Sequence, residues 1–108
     1  MKYTLIFILM LISSLTWAES DHRCSAAATQ QAHRLLTFHA GADDRIAVDE
    51  TVKSLAPISN PANKSQSFDV LEVWGFIYKA KYRMRLLYAQ MPGDCLLMGQ
   101  EILEYANL

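Results

Sequence analysis

The chain has 108 residues, with ten basic and eleven acidic side chains and a formal net charge of −1 at pH 7. A charge so balanced gives no global field to gather nucleic acid or an anionic membrane surface. The length admits one small domain with a modest core.

Residues 1–18 read as an export signal. Lys2 is a short positive n-region, residues 5–12 are an unbroken apolar stretch, and Thr16 and Ala18 put small residues where a signal peptidase needs them. The broadly apolar run is about fifteen residues, short of the roughly 20 that cross a bilayer. The expectation is cleavage after Ala18, a single domain over residues 19–108, and no stable membrane span after cleavage. Losing Lys2 leaves nine basic against eleven acidic side chains, a charge of −2. The short apolar core with one n-region charge suits a Gram-negative signal, which predicts the periplasm, with secretion as the alternative.

Cys24 and Cys95 both lie beyond the signal. An even count in an exported chain predicts a disulfide, and with two cysteines the pairing is forced. Closing a loop of about 72 residues contributes roughly 4 kcal/mol in the chain-entropy model. The sequence has no CxxC motif, and Asp21-His22-Arg23 is charged where a lipoprotein signal requires small, apolar residues.

Residues 24–40 predict a helix, with Ser25 as N-cap, strong helix formers at Ala26, Ala27 and Ala28, and Gly41 for the left-handed end. Ala28, Ala32, Leu35, Leu36 and His39 recur at helical spacing and mark its buried face, which Phe38 widens. Residues 45–55 predict a strand, with Ile46, Val48 and Val52 on one side and Asp49, Thr51 and Lys53 on the other. Pro57, Pro61 and small polar residues make 56–67 a loop.

Residues 68–90 are rich in the aromatic and β-branched types that fit a pleated sheet. As one strand they would reach about 75 Å, so the segment must fold back. Phe68, Val70, Trp74, Phe76, Tyr78, Tyr82, Met84, Leu86 and Tyr88 share even numbers. A turn with an odd number of residues near Ala80 would keep them all on one core face. A two-residue turn would instead set Trp74 and Phe76 beside Arg83 and Arg85. Burial of the aromatics favours the odd turn. Residues 91–94, Met-Pro-Gly-Asp, mark a second turn. Residues 95–108 suit neither period cleanly, and a final strand is the expectation over a helix.

No chemistry-bearing motif stands out. His33 and His39 are six residues apart and lie on different helix faces, and using His22 with Cys24 as ligands would require a reduced thiol, so no metal site is expected. The neighbours Asp43-Asp44 and Asp49-Glu50 do not converge as an acid/base pair needs. A GxSxG elbow is absent. No catalytic residue and no cofactor are therefore assigned. Lys79, Lys81, Arg83 and Arg85 form a run of cations at period two. With Val73, Ile77 and Leu87 they are expected to form an interaction surface, an apolar centre rimmed by cations.

The predicted architecture is α+β: one N-terminal helix on an antiparallel sheet of about four strands, stapled by the disulfide Cys24–Cys95. In outline it resembles a cystatin-like or nuclear-transport-factor-like roll, a resemblance of arrangement alone that transfers no function. The expected function is that of a small exported protein-binding or inhibitory protein without catalytic activity, such as an immunity protein or hydrolase inhibitor. Its partner would be another protein or a second copy of itself, not nucleic acid. The alternative is a ligand-binding or catalytic roll, with Tyr78, Tyr82, Tyr88 and Glu72 lining a pocket between helix and curved sheet.

Overall fold

A computed structural model describes residues 22–105; the predicted signal and its cleavage site lie outside the described residues. Helix α1 (Ser25–Ala40) is followed by β1 (Ile46–Val48), β2 (Lys53–Asn60), β3 (Asn63–Ile77), β4 (Ala80–Ala89) and β5 (Leu97–Tyr105). All strand pairs are antiparallel, so the domain is α+β. The strands number five, but β1 and β2 lie end to end along the same edge of β3, and the sheet is four positions wide.

The helix buries Ala28, Ala32, Leu35 and Leu36, as their spacing predicts, but His39, expected on the same face, is exposed. Cys24 rather than Ser25 occupies the N-cap position, without a side-chain cap bond. Its N–H donates to Nδ1 of His22 at 3.0 Å, and Sγ bonds to Cys95, with the Cα atoms 5.7 Å apart. The expected disulfide therefore anchors the helix start to the segment leading into β5. Gly41, at φ 93°, ends the helix and donates its N–H to the Thr37 carbonyl. Phe38 lies outside the buried stripe and is 88% exposed, contrary to the sequence expectation.

The strand expected over 45–55 is broken at residues 49–52. The Asp49 carboxylate accepts the Thr51 N–H there, and Val52 drops into the core. The loop expected over 56–67 is instead a long hairpin, in which β2 runs to Asn60 and β3 starts at Asn63. Pro57 fits because β2 is an edge strand whose register shifts between Leu55 and Ile58, so the missing N–H breaks no ladder. The polar residues that resemble loop composition bind one another: Asn60 Oδ1 accepts the Ala62 N–H, and Asn63 Oδ1 accepts the Ser65 N–H and hydroxyl.

The β3–β4 hairpin overturns the expected odd turn. Ile77 pairs with Ala80 across the two residues Tyr78 and Lys79, and Tyr78 takes a positive φ of 54°. Odd residues of β3 therefore share a face with even residues of β4. The helix-facing side carries Leu71, Val73, Gly75 and Ile77 beside Tyr82, Met84, Leu86 and Tyr88. Helix packing decides this face. A Cβ on Gly75 would stand 2.8 Å from Leu36 Cδ2 and 2.9 Å from Met84 Cε, so the helix lies too close for Trp74 or Phe76 beneath it. That contact outweighs the local cost of a positive φ at Tyr78.

β5 is the expected strand. Its ambiguous periodicity has a local cause: Leu87 pairs with Gly99 and Tyr88 with Leu97, leaving Met98 as an extra residue that breaks the alternation. Ahead of α1, His22 Nε2 bonds Asp69 Oδ2 at 2.9 Å, and Gln90 holds the other carboxylate oxygen at 2.8 Å. The Arg23 guanidinium donates to the Met91 and Gly93 carbonyls. Arg23 thus fastens the turn at 91–94 to the residues just ahead of the helix, next to the disulfide.

Candidate functional site

The sheet face away from α1 is covered by no other helix or strand among the described residues. The strand register sets its side chains in cross-strand rows. In the middle row Lys53 pairs with Glu72, Glu72 with Arg85, and Arg85 with Glu101, so charge alternates across all four positions. On one side of this row lie Leu55, Val70, Leu87 and Gly99. On the other side come Trp74, Arg83 and Leu103, and then Ala47, Phe76, Lys81 and Tyr105.

Glu72 is the one buried charged residue among those described, only 6% exposed. A carboxylate can stay charged there only if its partners replace water. Arg85 Nε donates to Glu72 Oε2 at 3.0 Å, and Trp74 Nε1 donates to Oε1 at 3.3 Å. Glu101 Oε2 lies 3.8 Å from Arg83 Nη2 and 4.0 Å from Arg85 Nη1, closing a network of two carboxylates and two guanidiniums. Arg83 also donates to the Tyr105 hydroxyl at 3.1 Å. Its Nε is buried without a hydrogen-bond acceptor, 3.9 Å from Glu72. The Trp74 and Tyr105 rings pack with centroids 5.4 Å apart, and Lys81 Nζ lies 4.9 Å from the Trp74 centroid.

Of the seven residues assigned to an interaction surface from sequence, Lys81, Arg83, Arg85 and Leu87 share this face. Val73 and Ile77 do not; both are buried against the helix, because the two-residue turn reverses their parity. Lys79 sits in the turn with its Nζ near the Tyr78 ring. Sequence reasoning missed Glu72, Trp74, Glu101, Leu103 and Tyr105. The two-residue alternative for the hairpin held the signal, since it pairs Trp74 with Arg83 and Glu72 with Arg85.

The residues expected to line a pocket between helix and sheet do not meet there. Tyr82 and Tyr88 are packed in the core, where burial pushes both phenols up from their ordinary value. Glu72 is on the opposite face, and Tyr78 is an exposed turn residue. A cleft of about 230 Å³ does border Glu72, Trp74, Asp49, Thr51 and Lys53 on the outer face. A second, of about 330 Å³, is lined by Phe68, Met91, Leu96 and Met98 with polar neighbours. Among the described residues no three His, Cys, Asp or Glu side chains gather as a metal would require, and no helix is long and apolar enough to cross a membrane. Asp43 is held down at about 2 by hydrogen bonds from Arg45, a local turn contact.

No family model matches the chain, and neither a curated protein nor a solved structure matches it.

Proposed function

We propose that this is a small exported binding protein without catalytic activity, which holds another protein chain against the outer face of its sheet, in the manner of an immunity protein or hydrolase inhibitor. The observation that carries the reading is the grouping of Trp74, Tyr105, Arg83 and Arg85 with Leu87 and Leu103 on one face that no other described helix or strand covers. Tryptophan, tyrosine and arginine are the residue types that dominate binding energy at interfaces. Here the guanidiniums are already oriented by Glu72 and Glu101, so little side-chain freedom is lost on binding. The periplasm is the proposed compartment, resting on residues 1–18 as an export signal and on a cysteine pair suited to oxidising conditions.

The test must spare Glu72, because reversing Arg85 would strand a buried carboxylate and confuse binding with folding. Leu103 and Tyr105 are 47% and 42% exposed. Leu103→Asp with Tyr105→Ala is expected to leave the circular dichroism spectrum unchanged and to weaken capture of the partner from periplasmic extract at least about tenfold. Capture at parental strength by the folded double variant overturns the reading.

A further inference from the structure

We infer that the partner on this face is a second copy of the same chain, stacked sheet to sheet about a two-fold axis parallel to the strands and midway between β3 and β4. The inference rests on the binding face proposed above and names its occupant.

A two-fold of this kind reverses the order of the four positions in each row. The middle row reads Lys53, Glu72, Arg85, Glu101. Reversed, it reads anion, cation, anion, cation, so opposite charges stand across the axis: the exposed Lys53 meets Glu101 of the second copy, while Glu72, only 6% exposed, stays bonded to Arg85 of its own chain beneath the Arg85 of the second copy. The flanking rows fit the same operation. Trp74 comes over Arg83 and Phe76 over Lys81, both pairings of a cation with an aromatic face. In the apolar row Leu87, half-buried, comes over Val70, which is already buried within its own chain. Packed sheets cross at about 30°, which displaces the outermost charges by roughly 4 Å, within reach of a lysine and a glutamate.

Pairing through the free edge of β5 is the competing arrangement, and charge disfavours it. Antiparallel self-pairing about the middle of the strand sets Glu101 directly against Glu101, and like charges opposite one another destabilise a ladder. The face measures about 19 Å across four strands by about 27 Å along them, so two copies would bury at most roughly 1,000 Å² in total, since Phe68, Val70 and Glu72 are already buried in one chain. That lies at the lower limit for a specific interface, and the dimer is expected to dissociate on dilution.

The test uses Lys53 and Glu101, which stand three strand spacings apart in one chain, about 14 Å, and come together only across the two-fold. Sedimentation equilibrium of the mature, oxidised chain from about 1 to about 500 µM should show a reversible dimer. Lys53→Glu alone places two glutamates together at both ends of the interface, and Glu101→Lys alone places two lysines together. Each variant should raise the dissociation constant at least about tenfold. An equimolar mixture restores both opposite-charge contacts and should return association to near the parental level, while circular dichroism shows each variant folded.

A chain that stays monomeric throughout this range overturns the inference, as does a dimer indifferent to both substitutions or one the mixture fails to recover. Partner capture that still depends on Leu103 and Tyr105 would then leave the binding reading standing with a different protein as its occupant. Loss of both results removes that reading too.

Discussion

On the helix-facing side of the sheet, Leu71, Val73, Met84 and Leu86 are fully buried among Ala28, Ala32 and Leu36, and Gly75 leaves room for the closest approach. The opposite side of the same strands carries Glu72, Arg83, Arg85 and Lys81 among Trp74, Phe76 and Val70. Both sides contain large apolar residues. What separates them is the space a helix leaves, which suits branched aliphatics and a glycine and excludes an indole. On the outer side Trp74 is half-buried, donates its N–H to Glu72 and packs against the Lys81 ammonium. Total hydrophobic content is therefore a poor guide to which face is the core, because an indole satisfied by a carboxylate and a cation is stable at a surface.

The largest expected effect tests that contrast directly. Leu86→Ala, on the inner side, should cost about 2–5 kcal/mol, as truncation of a fully buried leucine does. Trp74→Ala should cost less, roughly 1–2 kcal/mol, since the ring is only half-buried. Urea unfolding of both variants measures the difference. Equal costs would put Trp74 in the core and invalidate the division of the faces.

A smaller effect tests the charges of the outer side. Arg85→Ala removes the 3.0 Å donor from the buried Glu72 and should cost about 1–3 kcal/mol, the penalty for an unsatisfied buried group. Adding Glu72→Gln should recover part of this loss, because the remaining amide carries no charge to desolvate. A double variant as unstable as the sum of the two single ones would show that Glu72 and Arg85 do not act as a pair.

The contrast also accounts for what could be read from sequence. The helix was legible because Ala28, Ala32, Leu35 and Leu36 fall on one face, and the disulfide because two cysteines beyond an expected export signal have one pairing. The hairpin parity was not. Choosing between an odd turn and a two-residue turn depends on the approach of Leu36 to Gly75, a long-range contact that no local pattern carries. The β2–β3 hairpin was hidden because Pro57, Asn60 and Asn63 are turn-forming types that an exposed edge strand with a register shift can also accommodate. The proposed binding face follows from the hairpin, so Glu72 and Trp74 were missed for the same reason, and Tyr105 because its place depends on the β4–β5 register.

The smallest expected effect concerns the inner side at its far end, where Asp69 ties His22 and Gln90 to the helix start. Burial pushes the Asp69 carboxyl up, but hydrogen bonds from Gln90 and His22, with the nearby charges of His22 and Arg23, leave it below its ordinary value. A carboxyl lowered by folding contributes stability that is fully present above its unfolded value, about 4. That stability is lost as pH falls through the lower folded value, because the unfolded chain takes up the proton first. Unfolding free energy should therefore decline as pH drops below about 4, and the slope should be shallower in Asp69→Asn, which keeps a hydrogen-bonding side chain but cannot ionise. Thermal unfolding of both proteins between about pH 2.5 and pH 6 measures it. Parallel profiles would mean that Asp69 contributes nothing to acid sensitivity, and that the helix start is held by the disulfide and the Arg23 contacts alone.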